Sequence, residues 1–177
     1  THIEPKVKQV LHKIIQLLSR YFTGLLIENS IVILIISVGL SIAGIENAIL
    51  IGFFAGLVNM IPYVGPVVGL AFGLIVSVTT SLHANALEFV NIGDIAYKVI
   101  GIMFACQLID GIIMQPLIFS KSVKAHPLEI FLIILMSGTL AGIPGMILAV
   151  PVYTIFRVIA KEFLSEFDVI KKLTKSI

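Results

Sequence analysis

Charge is what this sequence has least of. Asp, Glu, Lys and Arg make up 12% of its 177 residues, against 58% hydrophobic residues and a mean hydropathy of +1.11. A soluble domain of this length could not hide so much apolar surface in one core, so lipid is the expected solvent. The net charge of +2 is too small to suggest nucleic acid. Cys106 is the single cysteine and lies in an apolar run, which excludes a disulfide within the chain. His2, His12, His83 and His126 are too scattered to ligate a metal, and no phosphate loop or nucleotide fingerprint occurs. An intramembrane aspartyl protease would need a second Asp at membrane depth, and none is present. Neither an enzyme nor a cofactor is expected. The chain opens at Thr1 without an initiator Met or a signal-peptide pattern, so a longer parent protein is expected.

What is present is long apolar runs, two of them broken by Gly and Pro. The first breaks at Ile61-Pro62-Tyr63-Val64-Gly65-Pro66 and the second at Gly142-Ile143-Pro144-Gly145. The arms around each break cover roughly 20–25 Å as helices, short of the ~30 Å hydrocarbon core. Irregular backbone at membrane depth is tolerated where protein buries it or water reaches it, and paired breaks of this kind mark transport sites. The expected fold is all-α and integral to the membrane. Two transmembrane helices and two re-entrant broken hairpins form an inverted repeat behind an N-terminal amphipathic interfacial helix.

Along the chain, residues 1–23 form the interfacial helix, with Val7, Leu11, Ile14, Ile15, Leu18 and Phe22 on one face. A linker helix packed on another domain is the alternative. The first repeat, 24–95, holds a spanning helix at 24–45, a hairpin at 48–80 and an outer loop at 81–95. The second, 96–160, holds a spanning helix at 96–118 and a hairpin at 128–160. A basic amphipathic tail, 161–177, follows. With the N-terminal helix cytoplasmic, Lys121, Lys124 and the tail also fall on that side, as the positive-inside rule asks. Two full spanning pairs would give the same parity, so arm length has to decide. Gly52-x3-Gly56, Gly65-x3-Gly69-x3-Gly73, Gly138-x3-Gly142 and Gly145-x3-Ala149 flank both breaks. Such stripes let helix backbones approach closely in lipid, and a thin bundle with small residues facing lipid suggests a homo-oligomer.

Asp110 is the carboxylate well inside a membrane run, with Gln107 three residues before it on the same helix face and Gln115 following. Asp110 could carry a proton or bind a cation. The alternative is structural, through pairing with Lys98 or Lys121 or capping backbone freed near Pro116. Asn59, one turn before the first tip, could contact substrate or ion or tie helices together. Tyr63 could gate the tip or anchor at the interface. Glu28 reads as a snorkelling, structural residue near the entry of its span. Backbone freed at Pro62, Gly65, Gly142, Pro144 and Gly145 completes the candidate binding set.

Asn59-Met60-Ile61-Pro62-Tyr63-Val64-Gly65-Pro66 resembles the signature of the AI-2E family of bacterial membrane proteins, the autoinducer-2 exporter type. Gln107-Leu108-Ile109-Asp110-Gly111 with Gln115-Pro116, His126-Pro127-Leu128, and Gly142-Ile143-Pro144-Gly145-Met146 through Ala149-Val150-Pro151 resemble it in the same order. The likeness covers nearly the whole chain and corresponds to the family's C-terminal half. It implies a multi-pass protein of the bacterial inner membrane exporting the quorum-sensing signal, or a Na+/H+ antiporter. Its partners are then the bilayer, a small polar solute and H+ or Na+. A membrane scaffold that assembles through its hairpins without transporting is the reading from a different class.

Overall fold

The computed structural model describes residues 3–84, 91–115 and 126–164. Every regular element among them is helical. Helix α1 spans Ile3–Ile42, α2 Ala48–Val58 and α3 Val64–Ala84. Helix α4, Ile92–Ile109, runs on into a π turn at Asp110–Met114, and α5 covers Pro127–Leu164. Among the described residues, four stretches are long and apolar enough to cross a membrane: Val7–Ile42, Val64–His83, Ile92–Met114 and Leu128–Ala160. Leu26, Leu34, Ile49, Phe104 and Leu140 lie exposed, which makes sense with acyl chains as solvent. The chain is a multi-pass membrane protein. It divides into two compact units, 23–121 and the segments 1–22 with 122–177.

In the unit 23–121, α1 lays down one buried stripe of Leu25, Glu28, Val32, Ile36 and Leu40, at the spacing that keeps side chains on one helix face. Val99, Met103 and Cys106 of α4, with Ile51 and Ala55 of α2, join Val32, Ile36 and Leu40 in the core. The glycines of α2 set how closely it meets α1. A Cβ at Gly52 would meet Ser37 Oγ and lie 2.8 Å from the Ser37 backbone nitrogen; one at Gly56 would lie 3.0 Å from the Asn29 carbonyl. Gly69 and Gly73 of α3 fit against Ala55 and Ile51 in the same way. These stripes therefore face neighbouring helices of the same chain. The expectation that they face lipid is corrected.

Helices α2 and α3 fold back on each other. The rings of Phe54 and Phe72 stack with centroids 3.9 Å apart, and Asn47 Nδ2 donates to Thr80 Oγ1 at 3.1 Å. At the tip, the amide of Gly65 reaches the carbonyl of Ile61 at 2.8 Å, and Tyr63 takes a left-handed φ of 66°. The arms are unequal. Eleven residues make α2 about 17 Å long, whereas the 21 of α3 reach about 31 Å, past the expected end at residue 80. The extra turn is residues 81–84, and the hydroxyls of Ser77 and Thr79 lie within the helix before it. They bond back to the carbonyls of Leu74 and Ile75, so polar residues that read as a helix end are absorbed within it.

Helix α1 is one unbroken helix of 40 residues across the expected interfacial and spanning segments. In the other unit, α5 is two helices joined at a reversal. Ala141 (φ −137°, ψ 16°) and Gly142 (φ 62°, ψ −147°) leave helical geometry. The Tyr153 hydroxyl donates to Glu129 at 2.6 Å, although a straight helix would hold them ~36 Å apart. Gly145 presses on the Ser137 carbonyl, so no side chain fits between the arms at the tip. Pro144 does not break the chain itself. It lies in the first turn of the second arm, where its missing N–H has no helical partner to lose.

The turn therefore belongs to Gly142, whose conformation is essentially closed to other residues. Gly142→Ala should cost about 1–3 kcal/mol in chemical unfolding of the detergent-solubilised protein. Gly101→Ala, where an added methyl group meets open space, should cost nothing and serves as the control. Residues 85–90 of the expected outer loop, Pro116, Lys121, Lys124 and the tail beyond 164 lie outside the described residues.

Candidate functional site

A cavity of about 190 Å³ opens where the first hairpin's tip meets α1 and α4. Asn59 ends α2, Gly65 and Pro66 begin α3, and Gln107 and Asp110 come from α4; the other walls are apolar, including Val32, Ile36, Met103 and Phe104. The volume is below the ~300 Å³ at which drug-sized pockets begin, so it suits a small solute. Gly65 earns its place by contact. A Cβ there would fall 2.6 Å from the Asn59 Cα and would meet the Val58 carbonyl, so only glycine lets the tip close this tightly. Pro66 sits in the first turn of α3, as Pro144 sits in that of its own arm.

Asp110 is 2% exposed and stands where α4 changes pitch. Its amide N–H is shared between the carbonyls of Cys106 and Gln107, and the following turn is π. On an α-helix a residue five positions on points about 140° away, but the wider π turn brings it nearly above. Gln115 Nε2 accordingly donates to Asp110 Oδ2 at 2.9 Å. Asp110 Oδ1 has no donor. Lys98 is no partner for it, since it bonds Asp94 one turn away at 2.7 Å.

The structure brings Asn59, Gly65, Gln107 and Asp110 to one cavity, with Gln115 bonded to Asp110 from outside. Pro62 and Tyr63 form the adjoining turn, where Ile61 is buried and Tyr63 half exposed. Gly142, Pro144 and Gly145 form the second hairpin's tip in the other unit. Glu28 is what the sequence reading missed. It is 3% exposed, not snorkelling, and its carboxyl meets that of Asp110 within hydrogen-bonding reach. The signal was its register: Glu28 falls in line with Leu25, Val32 and Ile36 on the face that becomes the core.

The sequence matches the profile of the AI-2E family transporter over residues 1–165. The chain belongs to the AI-2E transporter family. Among curated relatives of this AI-2E chain, YrrI of Bacillus subtilis (strain 168) is 33% identical over 147 residues, 83% of this chain and 38% of that protein. YueF of the same organism is 37% identical over 140 residues, covering 79% and 35%. MT0215 of Mycobacterium tuberculosis (strain CDC 1551 / Oshkosh) is 29% identical over 122 residues, covering 69% and 30%. All three carry transport-protein names, and the AI-2E chain matches between 30% and 38% of their length. No solved structure matches it.

Proposed function

We propose that this chain is the solute-handling part of a secondary transporter that exports a small polar molecule of the autoinducer-2 type and draws on the proton gradient. One observation carries the reading: a buried carboxyl, Asp110, opens onto an otherwise apolar cavity walled by a broken helical tip. Such a tip offers unpaired backbone and the Asn59 amide to a hydroxyl-rich solute, while the carboxyl handles a proton. The two hairpins act as re-entrant elements of an inverted repeat in the inner membrane, with both chain ends cytoplasmic and several copies assembled. Both hairpins turn at a left-handed residue, Tyr63 or Gly142, with a proline soon after, which favours a repeated design.

A Na+/H+ antiporter is the second reading, favoured by the presence of two buried carboxyls where the sequence suggested one. Efflux of labelled autoinducer-2 from reconstituted vesicles is set beside Na+-driven pH changes in the same vesicles. Export predicts labelled efflux that collapses with the proton gradient and no Na+-driven signal; the reverse pattern selects the antiporter. A purified oligomer showing neither activity would favour the scaffold. Cysteines placed at Tyr63 and Pro144 should react with water-soluble reagents from opposite sides if the hairpins are re-entrant and inverted.

A further inference from the structure

Glu28 and Asp110 come from different helices, α1 and the end of α4, and both are more than nine-tenths buried. Their carboxyl groups meet within hydrogen-bonding reach, yet Glu28 Oε2 and Asp110 Oδ1 each have no donor. The amide of Gln115 serves only Asp110 Oδ2. Among the described residues of 23–121, Lys98 is the one Lys or Arg side chain, and it is held by Asp94. Two bare carboxylates side by side out of water repel each other and lack solvation, so the arrangement calls for a positive charge between them.

A small metal cation would need a shell of about six oxygens. Besides the pair, the cavity offers only the side-chain amides of Asn59 and Gln107 among apolar walls such as Val32, Ile36, Met103 and Cys106, so a cation would have to gather its shell from several helices at once. Asn29 and Ser37 also carry buried oxygens without donors, but they lie where α1 packs against Gly56 and Gly52 of α2. A proton needs only the two facing oxygens. The titratable group beside the pair is Cys106 of α4; α2 and α3 present Asn59, Gly65, Pro66 and apolar side chains to the cavity.

We propose that Glu28 and Asp110 are one site, in which a single shared proton bridges α1 to α4 across the cavity wall. Glu28 is thereby half of the proton site. Loss of the proton leaves like charges facing each other, which loosens α1 from α4 and opens the cavity; regain closes it. The use of this latch rests on the transport reading, but its existence does not.

The test is infrared difference spectroscopy of the purified protein in lipid nanodiscs, stepped between acidic and alkaline buffer without solute. The wild type should show a protonated-carboxyl band that titrates. That band should be altered in Glu28→Gln and in Asp110→Asn alike, and absent in the double variant. In vesicles, the pH profile of solute efflux should shift in each single variant, and no further in the double variant than in the more affected single one. Glu28→Asp should partly restore both readouts, which a merely structural Glu28 would not do. A band untouched by Glu28→Gln, or shifts that add, overturns the proposal; so does erasure of the band by sodium chloride at constant pH, which names a metal cation as the occupant. A protein with the shared band but no solute movement keeps the latch and sinks the transport reading instead.

Discussion

Asp110→Asn is expected to cut proton-driven solute efflux sharply and to shift the pH profile of what remains, while leaving the protein folded. The amide keeps an oxygen that accepts from Gln115 Nε2, so the 2.9 Å contact that fixes the π turn survives. It cannot take up or release a proton, which removes the chemistry an ionisable group in the membrane is there to supply. Asp110→Ala goes further. It leaves the Gln115 amide without its acceptor and opens space beside the cavity, so stability should fall as well as transport. Gln115→Leu separates the two effects, because it keeps the carboxyl and removes one exposed donor; a partial loss of rate with near-normal stability is the expected outcome. The measurements are efflux of labelled solute under an imposed proton gradient and the denaturation midpoint in detergent. Full efflux in Asp110→Asn would make the residue structural and end the proton-coupled reading.

The largest loss of stability is expected from Gly56→Leu. A Cβ at Gly56 would already run into the Ile33 side chain and lie 3.0 Å from the Asn29 carbonyl, and the latter is backbone that cannot swing aside. Overfilling a packed interface costs about 1–3 kcal/mol when side chains can adjust. Here a whole leucine must be housed against the main chain of α1, so the cost should pass the upper end of that range. The α1–α2 seam would part, and with it the alignment of Glu28 and Val32 with the cavity. Gly69→Ala meets Ala55, with its nearest atom at 3.2 Å, and the Val58 side chain at 3.6 Å, and should be tolerated with a small loss. Gly101→Leu, facing open space on α4, should leave the protein unaffected. Recovery of monodisperse protein after solubilisation ranks the three. Equal recovery of all three would mean the α1–α2 contact does not hold the unit together.

Much of this site is legible in the sequence because its signals are local. Proline and glycine at residues 61–66 and 142–145 mark reversals through backbone geometry alone, and both reversals occur there. Asp110 stands out because a carboxylate in an apolar run is costly wherever the run packs. The parts that are not legible depend on partners distant in sequence. Glu28 lies near the start of an apolar segment, where snorkelling is the usual outcome; only the approach of α4 shows that it points inward. The Gln115 contact needs a π turn, and α-helical spacing places that side chain on another face. The small-residue stripes signal close packing without saying against what, and α1 and α2 are the answer for Gly52, Gly56, Gly69 and Gly73 of the first hairpin. The end of α3 lies beyond its expected place because the polar segment after residue 80 reads as loop, although it continues the helix to Ala84.

The second hairpin is fastened at both extremities. Gly145 locks against Ser137 near the reversal, and Tyr153, with the Arg157 guanidinium 5.9 Å from its ring centre, holds Glu129 at the open end. Two rods tied top and bottom resist scissoring apart. A displacement of this element would carry both arms together as a single paddle.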